Sequence, residues 1–481
     1  MGSTQSFDMM APVRLVLLAL ILLLLSSSAT IFVNVNAPGS AQTGTAADPC
    51  LSLKCGLRLA VSDDVVSVAA GDYTGPDNCN LNVTAGKLNI QVKGQGLASQ
   101  IVIRSTEPST RAFVVAGGAI SLLANLTLRD FAFHPISGYQ SGSRSYVGGA
   151  LSLAATNLTL ADVALVNNSA VEGGAVGASH GSLLTLLRCS LSGNHALSGG
   201  GALSVDLSSL DATHSTFEFN TALGNPQAQS FGDGGAILAV AGTRDTLRLA
   251  HCTFHNNSAA EAGGAMHVQS VNLADNSLSL DHCDFMHNAV TGDGRCLSST
   301  LCDVRGGAIY SSVPSSRYFM VNFLTNRAAT SAVNQFAEGG ALYSTSVYSD
   351  VASVLSASMQ HCSFHGNYAS GSGGAAYLLN QKVLMQDCIL EGNVAGTQGS
   401  LFSDASTSGG ALWYSAPASQ SLLLRVNFTD NYVWGGWGGA IFGTDSPLPL
   451  LVEDCNFTSN TAFSSYTFVA QVTQALPLTA P

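Results

Sequence analysis

Two short signatures alternate down this chain and limit its fold more than any other feature. One is Gly-Gly-Ala followed by an apolar residue; the other is Phe or Leu, two residues, then Asn. Both stand in the stretch from Cys252 to His267, CTFHNNSAAEAGGAMH. The first signature begins at Gly117, Gly148, Gly173, Gly200, Gly234, Gly263, Gly306, Gly339, Gly373, Gly409 and Gly438. Its shortest intervals are 25 and 27 residues, too few to bury a core of their own, so the units must stack on one another. Within a unit, Leu184 and Leu186 precede Cys189, Leu247 and Leu249 precede Cys252, and Leu278 and Leu280 precede Cys283. That alternation has the period of a strand, and no helical period runs through the units. A unit has room for about three short strands and their turns. Stacked, such units make an all-β, single-stranded parallel β-helix.

In a solenoid of this kind each recurrent position becomes a column. Gly pairs supply the positive φ and close backbone approach that a tight corner needs. Phe217, Phe254, Phe285, Phe323, Phe364, Phe428 and Phe457, with Leu165, Leu191 and Leu390 at the same position, are expected to stack inside. Asn168, Asn194, Asn220, Asn257, Asn288, Asn326, Asn367, Asn393, Asn431 and Asn460 are expected to form an amide ladder bonded from coil to coil. The column two residues before the Phe reads Val163, Cys189, Ser215, Cys252, Cys283, Val321, Cys362, Cys388, Val426, Cys455. Valine and serine replace cysteine there, as for a small buried side chain and not a metal ligand, so reduced core thiols are expected and no metal. Cys296 and Cys302 fall in an insertion and are expected to pair. One disulfide among Cys50, Cys55 and Cys79 is expected to staple an N-terminal cap.

The chain divides into residues 1–41, a signal peptide and short linker; 42–116, a cap and irregular first coils; 117–462, the regular repeats; and 463–481, a C-terminal tail. Arg14, the apolar run Leu15 to Leu25 and the small residues Ser26 to Ala29 read as a cleaved export signal, with an uncleaved anchor over Val13 to Val33 as the alternative. A secreted or surface-exposed protein follows, touching a membrane only through such an anchor. A net charge of -12, a pI near 5.2 and the lack of any Lys or Arg run exclude a nucleic-acid partner. No phosphate loop, nucleophile elbow or zinc pattern is present, so no cofactor is expected. The interval from the repeat Asn to the next Gly-Gly is 5 residues at Asn168 but 14 at Asn220, 18 at Asn288 and 16 at Asn393, which sends most extra length out at one corner.

The paired signatures, Gly-Gly-Ala-apolar with Phe-x-x-Asn, resemble the repeat of the chlamydial polymorphic outer membrane proteins from about Gly117 to Asn460. The resemblance implies a right-handed, pectin-lyase-like β-helix, exported, displayed at a surface and used in adhesion. The chain departs from that family in ending at LPLTAP without the amphipathic strands of a C-terminal membrane barrel, which suits a secreted protein or a piece of a longer one.

Two sets of residues are candidates for function. The residue after the inward apolar one of each Gly-Gly-Ala unit should point outward, and that column runs Ser152, Gly177, Ser204, Leu238, His267, Tyr310, Tyr343, Tyr377, Trp413, Phe442. Tyr310, Tyr343, Tyr377, Trp413 and Phe442 would form an external aromatic ladder about 19 Å long for sugar rings or an apolar partner surface; self-stacking is the plain alternative. Trp434 and Trp437 would extend or cap it. The second set lies just before Gly-Gly: Glu172, Asp233, Arg305 and Glu338. A glycan-cleaving enzyme would draw its catalytic carboxylates from Glu172 and Asp233, two coils and about 10 Å apart, while Arg305 and Glu338 read as a surface ion pair. His255, His287 and His365 should face solvent. The reading preferred is a non-enzymatic scaffold that binds a glycan or a protein partner.

Overall fold

A computed structural model describes residues 28–463 apart from 39–40, 84–85, 135–146, 225–231, 272–275, 293–303, 331–336, 346–355, 398–406, 416–419 and 445–449. Each regular coil carries four strands, not three. In one coil they are Val176–Ser179, Leu183–Leu187, Ser190–Ser192 and His195–Gly199. Each pairs in parallel with its counterpart on the next coil, as Val176 with Leu203, Leu184 with Leu210, Leu191 with Phe217 and His195 with Thr221. Among the described residues these stacks form sheets I to IV, of 12, 14, 13 and 11 strands in that order around the coil. The result is a single-stranded parallel β-helix.

The extra strand arises because the chain turns at single residues of positive φ, which leave more of the unit extended. Between sheets II and III these are Asp162, Arg188, His214, His251, His282, Met320, His361, Asp387, Arg425 and Asp454. Between III and IV they are Asn167, Gly193, Phe219, Asn256, His287, Thr325, Gly366, Gly392, Asp430 and Ser459. A left-handed conformation costs an L-residue about 1–2 kcal/mol. Stacking of the rungs on both sides imposes it.

The two glycines of each pair do different work. Gly263 has φ +64°, whereas an added Cβ on Gly264 would lie 2.0 Å from the carbonyl oxygen of Gly307 on the next coil. The signature at Gly117 does not belong to this set. Phe113 pairs with Leu151 in sheet I, and Ile120 pairs with Ile90 in sheet II, so Gly117 and Gly118 turn the corner between sheets I and II, with no neighbour closer than 3.9 Å to an added Cβ. Arg111 occupies the place of the second glycine in that coil. Its guanidinium donates to the carbonyls of Gly148 and Val147 at 2.8 and 3.1 Å, covers the Phe133 ring at 3.4 Å, and is pushed down to about 10 by burial. The regular pairs begin at Gly148.

The inner columns stand as the sequence predicts as far as Phe428; Phe457, stacked on it in the last described coil, is exposed. Phe217 and Phe254, then Phe254 and Phe285, stack with centroids 4.6 Å apart and rings within 2° of parallel. Each repeat Asn from Asn168 to Asn431 is buried, Asn460 in the last described coil is half-buried, and the side-chain oxygen accepts from the preceding rung. Asn220 N and Nδ2 donate to Asn257 Oδ1 at 3.1 and 3.0 Å, and Asn257 Nδ2 donates to the Phe217 carbonyl at 2.9 Å. Cys189, Cys252, Cys283, Cys362 and Cys388 are buried free thiols, their Sγ atoms on backbone carbonyls of the preceding coil. Burial pushes the Cys189 thiol up to about 11. Cys296 and Cys302 lie outside the described residues.

At the N-terminus the first rung comes earlier than the expected linker allows: Thr30–Val33 pairs with Val65–Val68. A short helix, Leu53–Leu59, follows, burying Leu53, Gly56 and Leu57 against that coil. Cys50 and Cys55 form the disulfide, and Cys79 stays a buried thiol. No helix among the described residues is long and apolar enough to cross a membrane; the apolar run Leu15 to Leu25 lies outside them.

Candidate functional site

The Gly-Gly corner, where sheet IV passes into sheet I, is where chemistry departs from the repeat. Sheet I alternates as expected: Leu203, Ile237, Met266, Ile309 and Leu342 point into the core, and Ser204, Leu238, His267, Tyr310 and Tyr343 lie on the other face in matching register. Tyr343 continues to Tyr377, Trp413 and Phe442.

The aromatic column stacks on itself. Tyr310 and Tyr343 are 5.3 Å apart and 5° from parallel, Tyr343 and Tyr377 5.1 Å and 8°, and Tyr377 and Trp413 3.9 Å and 1°. His267 adds a rung at the start, 4.4 Å from Tyr310. Tyr343 is 3% exposed and Tyr377 9%. A sugar ring stacks on an aromatic face, and here the faces are already occupied. Tyr343 and Tyr377 are covered at their edges too, so what this ridge of rings offers a partner is the partly exposed Tyr310, Trp413 and Phe442. At its far end Phe442 packs on Trp437, 5.9 Å away, while Trp434 lies against Tyr432 and Phe463 in sheet IV.

Beside this ridge runs the row just before Gly-Gly. Register puts it in the order Val147, Glu172, Gly199, Asp233, Ala262, Arg305, Glu338. Glu172 and Asp233 are therefore two coils apart with Gly199 between them, and their side chains are not brought together. Asp233 instead meets His267, with Oδ1 to Nδ1 at 3.4 Å, the imidazole side chain 9% exposed and the carboxylate 21%. At that separation the two face each other without completing a hydrogen bond, and His267 Nε2 is buried with no hydrogen-bond partner. Glu261, one coil on from Asp233, carries a buried carboxylate oxygen too. Tyr310 is nearby: burial raises its hydroxyl, the Arg305 guanidinium lowers it, and Asp233 and Glu261 raise it further.

Arg305 and Glu338 pair as expected, at 3.7 Å, but partly buried, with the guanidinium 5.2 Å over the Tyr343 ring. Glu338 is also joined to the Tyr377 hydroxyl, which burial first, and then the neighbouring carboxylate and Tyr343, hold well above the usual range. Asp233, Glu261, His267, Arg305, Tyr310, Glu338 and Tyr377 thus form one continuous polar strip.

No protein-family model matches the sequence, and no curated protein does. Solved structures do match. The catalytic unit of a thermostable GH87 α-1,3-glucanase from Streptomyces thermodiastaticus strain HF3-3 is 13% identical over 92% of this chain and 69% of its own, with a TM-score of 0.41. A variant GH87 α-1,3-glucanase catalytic domain in complex with nigerose is 10% identical over 95% and 70%, with a TM-score of 0.40. A rhamnogalacturonan lyase is 10% identical over 78% and 83%, with a TM-score of 0.24. The resemblance to the polymorphic outer membrane proteins rests on the repeat residues themselves.

Sequence reading placed Asp233 and the aromatic column at this corner but missed the part played by His267 and Glu261. The signal was there: His267 is the one imidazole in its column, one coil after Asp233. His287 is exposed at the corner after the Phe column; His365 and His255 each end their strand, His365 exposed and His255 half-buried. Among the described residues no three His, Cys, Asp or Glu side chains group as a metal site.

Proposed function

We propose that this protein is an exported β-helical scaffold, secreted or held at the cell surface, that binds an extended glycan or protein partner along the sheet IV to sheet I corner. One observation carries the reading. The inner columns repeat because stacking demands it, yet Asp233 and His267 interrupt the repeat with buried polar groups that no fold requirement accounts for. An unsatisfied buried polar group costs about 1–3 kcal/mol, and such a cost persists at sites kept for a ligand. Long connections leave the same corner, among them those from Ala222 to Asp233 and from Val290 to Val304. Of the adjoining row of Tyr310, Tyr343, Tyr377, Trp413 and Phe442, the partly exposed Tyr310, Trp413 and Phe442 supply the apolar contact. The test is retention of the full-length chain on immobilised polysaccharides and on surface-protein extracts. Retention weakened by Trp413→Ala and by Asp233→Asn supports the corner as the binding surface; retention indifferent to both rejects it.

A glycan-cleaving activity is the second reading, favoured by buried carboxylate oxygens on Asp233 and Glu261 of neighbouring coils. Release of new reducing or unsaturated ends, abolished by Asp233→Asn with retention kept, would establish it.

A further inference from the structure

We infer that the Asp233–His267 pair is a subsite for a primary ammonium group, and that the ligand is a glycan built of amino sugars with free amines. The inference rests on the corner being a binding surface and adds what that surface selects.

The argument starts from what the pair lacks. His267 Nδ1 faces Asp233 Oδ1 at 3.4 Å, and neither atom completes a hydrogen bond. The tautomer with its proton on Nδ1 places that proton toward the carboxylate, which leaves Nε2 a bare lone pair, buried and unpartnered. In that neutral tautomer Nε2 and Asp233 Oδ1 are the two acceptors without a donor in hydrogen-bond range. Nothing that only accepts, such as a carboxylate, sulfate or phosphate, completes the site.

Charge decides which donor. Asp233, Glu261 and Glu338 contribute three carboxylates to the strip, and Arg305 is its guanidinium, engaged by Glu338 and lying over Tyr343. The strip is net negative within a chain of net charge -12. A hydroxyl could donate to these acceptors, but an ammonium donates three hydrogen bonds and is also drawn by the field. A uronate or sulfated glycan meets the opposite field. The straight ridge of stacked rings, running on from His267 to Trp413 in register, favours a stiff extended polymer over a flexible side chain.

The experiment is calorimetric titration of the full-length chain with a fully deacetylated glucosamine hexamer, its fully N-acetylated counterpart, an oligoglucuronate of the same length, and oligolysine as a charge control. The deacetylated hexamer is expected to bind at least tenfold more tightly than the N-acetylated one. Asp233→Asn and His267→Phe are each expected to weaken it about tenfold, with His267→Gln, which keeps an acceptor, losing less; thermal melts identify any variant that has merely unfolded. Equal affinity for the acetylated and deacetylated hexamers, or tighter binding of oligoglucuronate, overturns the ammonium subsite while leaving the corner a glycan-binding surface. Oligolysine binding as tightly and losing as much in the same variants overturns the sugar assignment in favour of a basic protein. Absence of binding by every probe overturns both the subsite and the glycan reading on which it rests.

Discussion

The glycine pair shows how a single residue type can be required for two separate reasons. Gly263 takes a left-handed φ, and Gly264 lets the next coil's carbonyl approach to where a Cβ would stand, 2.0 Å away. Gly264→Ala must push one coil off the next, so loss of soluble, cooperatively folding protein is expected. Gly181 also has a positive φ, +72°, but open space around its missing Cβ. Gly181→Ala is expected to cost only about 1 kcal/mol, and thermal melts of the two variants measure the contrast. The false repeat at Gly117 has the same cause. Four identical letters serve a different corner because sequence carries no record of which strand a residue pairs with; Arg111, whose guanidinium binds the carbonyls of Gly148 and Val147, shows where the real corner lies.

At the scale of the element, the Asn and Phe columns were legible from spacing alone, because a column that must bond or stack with its own copy tolerates few residue types. Asn257→Ala would strand the Asn220 backbone N–H, the Asn220 amide and the Phe217 carbonyl. At about 1–3 kcal/mol for an unsatisfied buried group, a loss of about 3 kcal/mol is expected, read as faster hydrogen exchange in the two adjoining coils. Phe254→Leu should cost far less, since Leu165, Leu191 and Leu390 fill the same column elsewhere. The cysteine column predicts reactivity. Cys189, buried and pushed up to about 11, should resist alkylation at pH 8, whereas Cys455, only partly covered in the last described coil, should react first in the native protein. Prior labelling of Cys189 would contradict the buried column. The fourth strand of each coil and the corner residues such as Arg188 and His251 were not legible. Histidine and aspartate tolerate a left-handed φ better than most residues and arginine does not, but only stacking on both sides imposes it.

At the scale of the whole molecule the two ends differ. The first coil is covered by the helix Leu53–Leu59 and edged by the strand Thr30–Val33. Processing that removes residues up to 41 would strip this strand from Val65–Val68 and the Val33–Cys50 bridge with it. A chain beginning at residue 42 is therefore expected to melt at lower temperature than one beginning at residue 28, with the loss of exchange protection confined to the first two coils.

By itself the sequence determined the architecture: a repeat too short to own a core, with one column of amides and one of rings, can only stack, and its periodicity names the inward face. It also supplied Asp233 and the tyrosine row as candidates. Tertiary structure alone decided which residues meet. The register of parallel coils brings together side chains 34 positions apart, so Asp233 belongs with His267 and not with Glu172. Rung spacing then decided what the aromatic row offers, because rings 3.9 to 5.3 Å apart spend their faces on one another, and burial leaves only the partly exposed Tyr310 and Trp413 to a partner.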